Sequence, residues 1–524
     1  MCGISGYISE GFLNGPNIAK TLSHRGPDDF GDFSDVIAKY NIYLAHNRLS
    51  IIDLSPAGHQ PMINQDGNII IAYNGEVYNF IELRDRYLKG FNLRSKTDTE
   101  IILYLYQKLG IDFVKELNGD FAIVLLDKRF NKLYLIRDRL GVKPIYYYKK
   151  GEHFIFASEI KAILASGLSF SIDEPEVQNY LIFKYTPQDK TLFNGIFRLP
   201  PAHFLEYNLL SGSFLISRYW SVQKNSDYQN ITYREQQDEL DRLLRNSVDI
   251  RLMSDVPVGT FFSGGIDSSI IAGFLKNKSQ ITHYTAKKSL ADIKKEGTTS
   301  DFYYASKLAN QWGLNLIPID ISSQEANTSL ISKTIFYSDD LIADGSQIPS
   351  YLITKGAKSS STVMLSGMGA DEIFFGYKSH QLILLSNFLD HFPQFISSTI
   401  SNSFSKLNQG KGMFKAYRRH LHQFGKYYRA FPTIKYGLYG IVGDYENALS
   451  VLNKQDDRSL NILTEYFDGD DNVFDMNFKF EVENFLVKNL HYIDRMCMAN
   501  GVEGRVPFLD HRIVEFAYSL PVNR

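Results

Sequence analysis

The chain has 524 residues. That is more than one ordinary core, since single cores stop growing near roughly 250–300 residues, so two or three domains are expected. Hydrophobic residues at 44%, aromatics at 14%, and a near balance of 56 Lys+Arg against 58 Asp+Glu exclude a disordered chain and argue against a bulk nucleic-acid or membrane-surface binder.

From the N-terminus, Met1-Cys2-Gly3-Ile4-Ser5-Gly6 has no basic stretch followed by an apolar one, so it does not read as a signal peptide. No apolar run approaches the roughly 18 residues of a membrane span. The two cysteines, Cys2 and Cys497, exclude a disulfide framework and favour a reducing, cytoplasmic setting. Residues Asn68–Tyr73 form a short apolar run that ends in the turn dipeptide Asn74-Gly75. Thr97–Glu100 reads as a capping box, and Gly110 closes the helix it opens. Phe121–Asp127 with Lys132–Asp138, and Ile145–Tyr148 with Phe154–Ala157, read as hairpins. Hairpins with segregated helices predict an α+β domain of stacked antiparallel sheets flanked by helices over residues 1–212.

A polar stretch follows, and residues 213–232 are expected to be a linker. From residue 233 to 524 strands and helices alternate. Tyr233–Leu252 is helical, Val256–Phe262 a strand, Ser268–Lys276 a helix, Gln280–Thr285 a strand, Phe302–Trp312 a helix, Asn315–Ile319 a strand, Gln347–Lys358 a helix and Thr362–Leu365 a strand. Alternation of this kind predicts an α/β domain with a parallel sheet, and ligands at the carboxyl ends of its strands. Leu385–Leu463 reads as a helical addition. Its basic, aromatic part from Lys406 to Arg429 is expected to be a solvated face.

Cys2 is the first chemical signal. With Met1 removed, its thiol stands beside a free α-amine, which makes a nucleophile with a built-in base. A thiol near pKa ~8.5 and an amine near ~7.7–8 exchange a proton at little cost. The second signal is Ser263-Gly264-Gly265-Ile266-Asp267-Ser268-Ser269, between a strand and a helix. Glycines there let the backbone approach an anion, and the helix N-terminus favours one. No Gly-Lys-Ser/Thr follows, so the loop is not a Walker A. A third block, Leu365–Tyr377, also follows a strand and should reach the same sheet edge.

The ordered blocks Met1–Gly6, His24–Asp29, Arg48–Asp53, Gly58–Met62, Asn74–Asn79 and Arg137–Pro144 resemble the glutaminase domain of the glutamine-hydrolysing asparagine synthetase family, an N-terminal-nucleophile amidotransferase. The Ser263–Ser269 loop resembles that of enzymes cleaving ATP to AMP and pyrophosphate, and Asp494-Arg495 with Glu503–Arg512 resembles the family's late synthetase block. The resemblance implies Cys2 as nucleophile and Asn74 with Gly75 as the oxyanion hole. It implies glutamine contacts at Arg48, Leu49, Ser50, Ile51, Ile52, Asn74, Gly75, Glu76 and Asp98. ATP and pyrophosphate contacts are implied at Phe262, Ser263, Gly264, Gly265, Asp267, Ser268, Ala286, Ser366 and Gly367, with Mg²⁺ on Asp267 and Asp371. Asn74-Gly75 as a plain hairpin turn, Asp98 as a helix-dipole acid and Arg48 as a structural ion pair stay open beside these roles. Cys497 is read as a small buried residue.

The partners implied are glutamine and a carboxylate acceptor. Aspartate is the family default, a sugar acid of surface polysaccharide the alternative. A glutamine-binding or regulatory protein with an inactive synthetase half is a third reading. Nucleic acid and membrane are not expected, and a homodimer is common in the family. Met368 stands where many family members carry an acid, and Phe375 where they carry glycine. Ser289–Ser300 lacks the family pattern near the acceptor, and the chain stops at Arg524, ahead of a family segment that carries a lysine.

Overall fold

The computed structural model describes residues 2–289, 291–293, 300–321, 327–407, 415–431, 434–440, 458–469 and 472–521. The N-terminal part builds two six-stranded sheets. Their strands are β1 (Gly3–Ser9), β2 (Asp29–Ile37), β3 (Tyr40–Arg48), β4 (Met62–Ile63), β5 (Ile69–Val77), β6 (Gly119–Asp127), β7 (Lys132–Arg137), β8 (Tyr146–Lys150), β9 (His153–Ala157), β10 (Ile196–Arg198), β11 (His203–Asn208) and β12 (Phe214–Arg218). One sheet runs β10-β8-β9-β1-β3-β2 and the other β12-β11-β7-β6-β5-β4, with antiparallel pairing throughout.

Alternation along the strands sends one set of apolar side chains inward. Ile4, Ile8 and Leu44 from the first sheet meet Ile70, Ala72, Val124 and Leu135 from the second. The outer face of the second sheet is covered by the helices Phe80–Tyr87 and Asp98–Leu109, and that of the first by Gly15–Lys20 and Ile160–Leu164. The α+β expectation of stacked sheets between helices therefore holds. Thr97 caps its helix by accepting from the Glu100 N–H. Glu100 does not close the expected box; its carboxylate takes the Arg94 and Ser95 N–H groups instead.

Two details differ from the sequence reading. Asn74-Gly75 is no turn: β5 continues through it to Val77, because β6 offers a paired partner as far as Gly119. The expected linker carries β12, which pairs with β11, and a short helix Ser226–Asn230, so the second sheet extends to Arg218.

The C-terminal part is a five-stranded parallel sheet of β13 (Val258–Phe261), β14 (Thr282–Lys287), β15 (Asn315–Asp320), β16 (Val363–Leu365) and β17 (Glu503–Arg505), ordered β15-β14-β13-β16-β17. The chain leaves β13 toward one side of the sheet and returns on the other at β16, so the switch point lies between them. Helical additions of Lys378–Leu389, Gln394–Ser405, Lys415–Ala430 and Arg458–Phe467 pack together on Leu382, Phe424, Tyr427 and Leu463. Phe424, Tyr427 and Tyr428 from the stretch expected to be a solvated face are core residues. Among the described residues no helix is long and apolar enough to cross a membrane.

The two parts share one core. Leu49, Ile51, Leu140 and Val142 of the first pack with Val258, Val363, Leu365 and Val506 of the second. Beside that core lie buried charges: Arg25 pairs with Glu159 at 2.8 Å and with Asp494 at 2.9 Å.

Candidate functional site

Cys2 immediately precedes β1, which runs beside β3 in the middle of the first sheet. Its backbone nitrogen donates to Asn74 Oδ1 at 2.8 Å, and Arg25 Nε donates to its carbonyl at 3.0 Å. The first bond fixes the Asn74 amide so that Nδ2 faces away. Nδ2 is buried with no hydrogen-bond partner among the described residues. A buried amide donor left open is costly, and is what an oxyanion site requires. Gly75 follows with φ +153°, and a Cβ there would sit 2.1 Å from the Asp120 carbonyl oxygen. The Cys2 thiol lies 3.9 Å from the Leu49 carbonyl oxygen, and burial pushes its pKa up.

Two carboxylates stand behind this strand. Asp98 opens its helix and accepts from the Tyr73 hydroxyl at 2.7 Å and the Val77 N–H at 2.9 Å. Burial lifts it to about 6 despite those bonds. Glu76 is held well above the usual carboxylate range by burial and by Asp98, and its Oε1 lies 3.4 Å from Arg505 Nη2 of β17. Arg48 turns back on its own loop and donates to the carbonyls of Ile52, Asp53 and Ser55. Leu49 and Ile51 belong to the shared core, and the Ile51 carbonyl accepts from Asp255 N–H at 2.9 Å. Ile52 packs beside that core half-buried, and the Ser50 N–H donates to Asp28.

The second constellation lies at the switch point. The loops after β13 and β16 touch: a Cβ on Gly367 would sit 2.9 Å from Asp267 Cβ and 3.0 Å from Ser268 N. Ser263, Asp267, Ser268, Ser366, Gly367 and Asp371 line one cleft of 270 Å³. Asp267 is raised to about 6 by burial and by Asp371, and burial raises Asp371 as well. Two carboxylates made this basic at close quarters fit a cation between them.

Four of the expected ATP contacts do not line this cleft. Gly264 and Gly265 are not on the cleft wall, and Gly264 instead faces a groove under Trp312. The Phe262 ring packs with Ala272, Ala305 and Ala309 behind the sheet, and Phe261 takes its place on the cleft wall. Ala286 packs against the Ile353 and Met364 core. Strand alternation explains the swap, since neighbours point to opposite faces. Glu372, Tyr377, Asn489 and Tyr492 also line the cleft and were not singled out from the sequence. The first two lie inside the Leu365–Tyr377 block. The last two come from the helix Leu486–Met498, far along the chain, and carry no local signal.

Cys497 is fully buried beside Gly504, and the segment Ser289–Ser300 lies largely outside the described residues.

Comparison with known proteins matches both halves. The family described as glutamine amidotransferase domain matches residues 1–220, and the one described as asparagine synthase matches residues 239–524. The putative glutamine-hydrolyzing asparagine synthetase 2 of Methanocaldococcus jannaschii is 36% identical over 422 residues, covering 76% of this chain and 79% of that protein. Glutamine-hydrolyzing asparagine synthetase 1 of Bacillus subtilis is 30% identical over 526 residues, with 95% of this chain and 77% of that protein covered. Its asparagine synthetase 2 is 31% identical over 556 residues, covering 99% of this chain and 67% of that protein. With an antiparallel amidotransferase domain joined to a parallel-sheet synthase domain, the chain belongs to the glutamine-hydrolysing asparagine synthetase family of ATP-dependent ligases.

Proposed function

We propose that the protein moves the amide nitrogen of glutamine onto a carboxylate activated by ATP, with aspartate as acceptor and asparagine as product. The Cys2 sulfur bonds to the glutamine δ-carbon, the C–N bond breaks, and the nitrogen leaves as ammonia with the thiol proton. Asn74 Nδ2 and the Gly75 N–H hold the oxyanion, and Asp98 with Glu76 receives the ammonium of glutamine. Water then cleaves the thioester, releasing glutamate and restoring the thiol. In the second cleft an acceptor carboxylate oxygen bonds to the α-phosphorus of ATP, and pyrophosphate leaves. Ammonia displaces AMP from the acyl carbon and gives up one proton. A free carboxylate is too poor an electrophile to react without this activation. Asp267 and Asp371 would hold magnesium, which when bound supplies positive charge to the phosphates.

The observation that carries this reading is the continuity between the two sites. One apolar cluster runs from Leu49, whose carbonyl receives the Cys2 thiol, to Leu365, next to Ser366 of the ATP cleft. Apolar packing between the sites keeps out bulk water, which would protonate ammonia. A sugar acid is the second acceptor, because Met368 puts a thioether into the cleft where many relatives carry an acid. Cys2→Ala is expected to abolish pyrophosphate release with glutamine as nitrogen source and to preserve it with ammonium chloride. Loss of both activities would contradict two separate sites.

A further inference from the structure

The Gly58–Met62 block has no part in the steps above, yet it touches the strand that carries Asn74 and Gly75. On one side β5 pairs with β6 along its whole length. On the other, β4 pairs only with Ile70 and Ile71. Pro61 precedes β4 and has no N–H with which to continue the ladder. Backbone groups of an antiparallel strand turn to the same side at every second residue, so Tyr73 sends its N–H and C=O to the side that β4 leaves empty. Buried backbone groups are almost always paired, and here two side chains do it. Gln60 Oε1 accepts from the Tyr73 N–H at 2.7 Å, and His46 Nε2 donates to the Tyr73 carbonyl at 2.9 Å. A carbonyl only accepts, so the His46 proton sits on Nε2. Burial pushes His46 down to about 4, so its ring is neutral.

These bonds tie separate elements together. His46 belongs to β3 of the first sheet, so its bond crosses from one sheet to the other. Gln60 Nε2 also donates to Thr99 Oγ1 at 3.2 Å, next to Asp98 at the start of its helix. The two residues meet at Gly31, which pairs with His46 and where a Cβ would sit 2.3 Å from the Gln60 carbonyl oxygen. The peptide that His46 holds is the one joining Tyr73 to Asn74. Its plane sets where the Asn74 side chain leaves the strand, and Asn74 Oδ1 in turn is tied to Cys2. We propose that Gln60 and His46 are positioning residues of the glutaminase site. They stand in for the missing edge strand and hold the Tyr73–Asn74 peptide so that Asn74 Nδ2 and the Gly75 N–H meet one oxyanion. Gln60 also fixes Asp98 relative to them. Neither residue needs to touch glutamine. This rests on the glutaminase reading above.

The test measures glutamate release from glutamine by the full chain, with ammonium-dependent pyrophosphate release as the control. His46→Leu removes the donor, and His46→Gln keeps an N–H near the place of Nε2. His46→Leu should lower the glutamine kcat by about 10- to 100-fold and move the glutamine KM by less than about 2-fold. His46→Gln should recover most of that loss. Gln60→Met keeps the volume and removes both bonds. It should lower kcat and also raise the glutamine KM, because Thr99 and with it Asp98 come loose. In all three variants, pyrophosphate release with ammonium chloride and the rate of Cys2 alkylation by iodoacetamide should keep their wild-type values, since neither reaction uses an oxyanion donor. A merely structural loss would move both. Unchanged glutamine kcat in His46→Leu and Gln60→Met, or a loss shared equally by the ammonium reaction, overturns the positioning role and spares the glutaminase reading. A wild-type chain that releases no glutamate overturns both.

Discussion

At the scale of single residues, Asn74 shows how one bond creates another's vacancy. Its oxygen is taken by the Cys2 backbone, and that leaves its buried nitrogen open. Asn74→Ala is therefore expected to lower glutamine-dependent turnover by about 100- to 1,000-fold and to leave ammonium-dependent turnover intact, as stopped assays of glutamate and AMP would report. Asp98 gives a pH prediction. Burial raises its carboxyl to about 6, so the acid is neutral below that pH and ionised above it. An ammonium substrate prefers the ionised form. The KM for glutamine should rise as pH falls through about 6, the KM for ammonia should show no such inflection, and Asp98→Asn should remove it.

At the scale of elements, the loops after β13 and β16 are fitted to each other. Gly367→Ala puts a methyl 2.9 Å from Asp267 Cβ and must shift the Asp267 carboxylate proposed to hold magnesium. Pyrophosphate release should fall with either nitrogen source, and glutaminase activity should persist. Strands with alternating or continuous apolar runs were legible in the sequence, as were the positions of the two loops after β13 and β16, because glycine and serine next to a strand mark a turn locally. Asn74-Gly75 misread as a turn because that signal is local, and pairing with β6 overrides it. β17 was invisible as a strand: Glu503-Gly504-Arg505 has no β-forming composition, and only pairing with β16 and the buried ion pair between its two ends fix it. The Phe261 and Phe262 exchange turned on one residue of register, which motif matching does not resolve. Asn489 and Tyr492 reach the cleft between the β13 and β16 loops through tertiary packing alone.

At the scale of the whole molecule, the boundary between the halves is as buried as either core. Arg25 is fully buried and ties Glu159 of the first half to Asp494 of the second. Arg505 lies against Glu76 while its carbonyl accepts from the Ser366 N–H at 2.8 Å, so a single residue touches both sites. Burial alone would raise Glu503, yet Arg505 and its other cationic neighbours bring it down to about 2. Removing one member of such a set strands the others. Arg25→Ala should cost about 3–5 kcal/mol in urea unfolding, and the glutamate released per AMP formed should rise as the halves loosen.

The placement of the two sulfurs gives the protein a built-in gauge. Burial pushes both thiols up, but Cys497 is fully enclosed whereas Cys2 keeps 8% of its surface open at the edge of its site. An alkylating reagent should thus stain intact chains once and denatured chains twice. Label counted by mass then reports the native fraction of any preparation before a substrate is added.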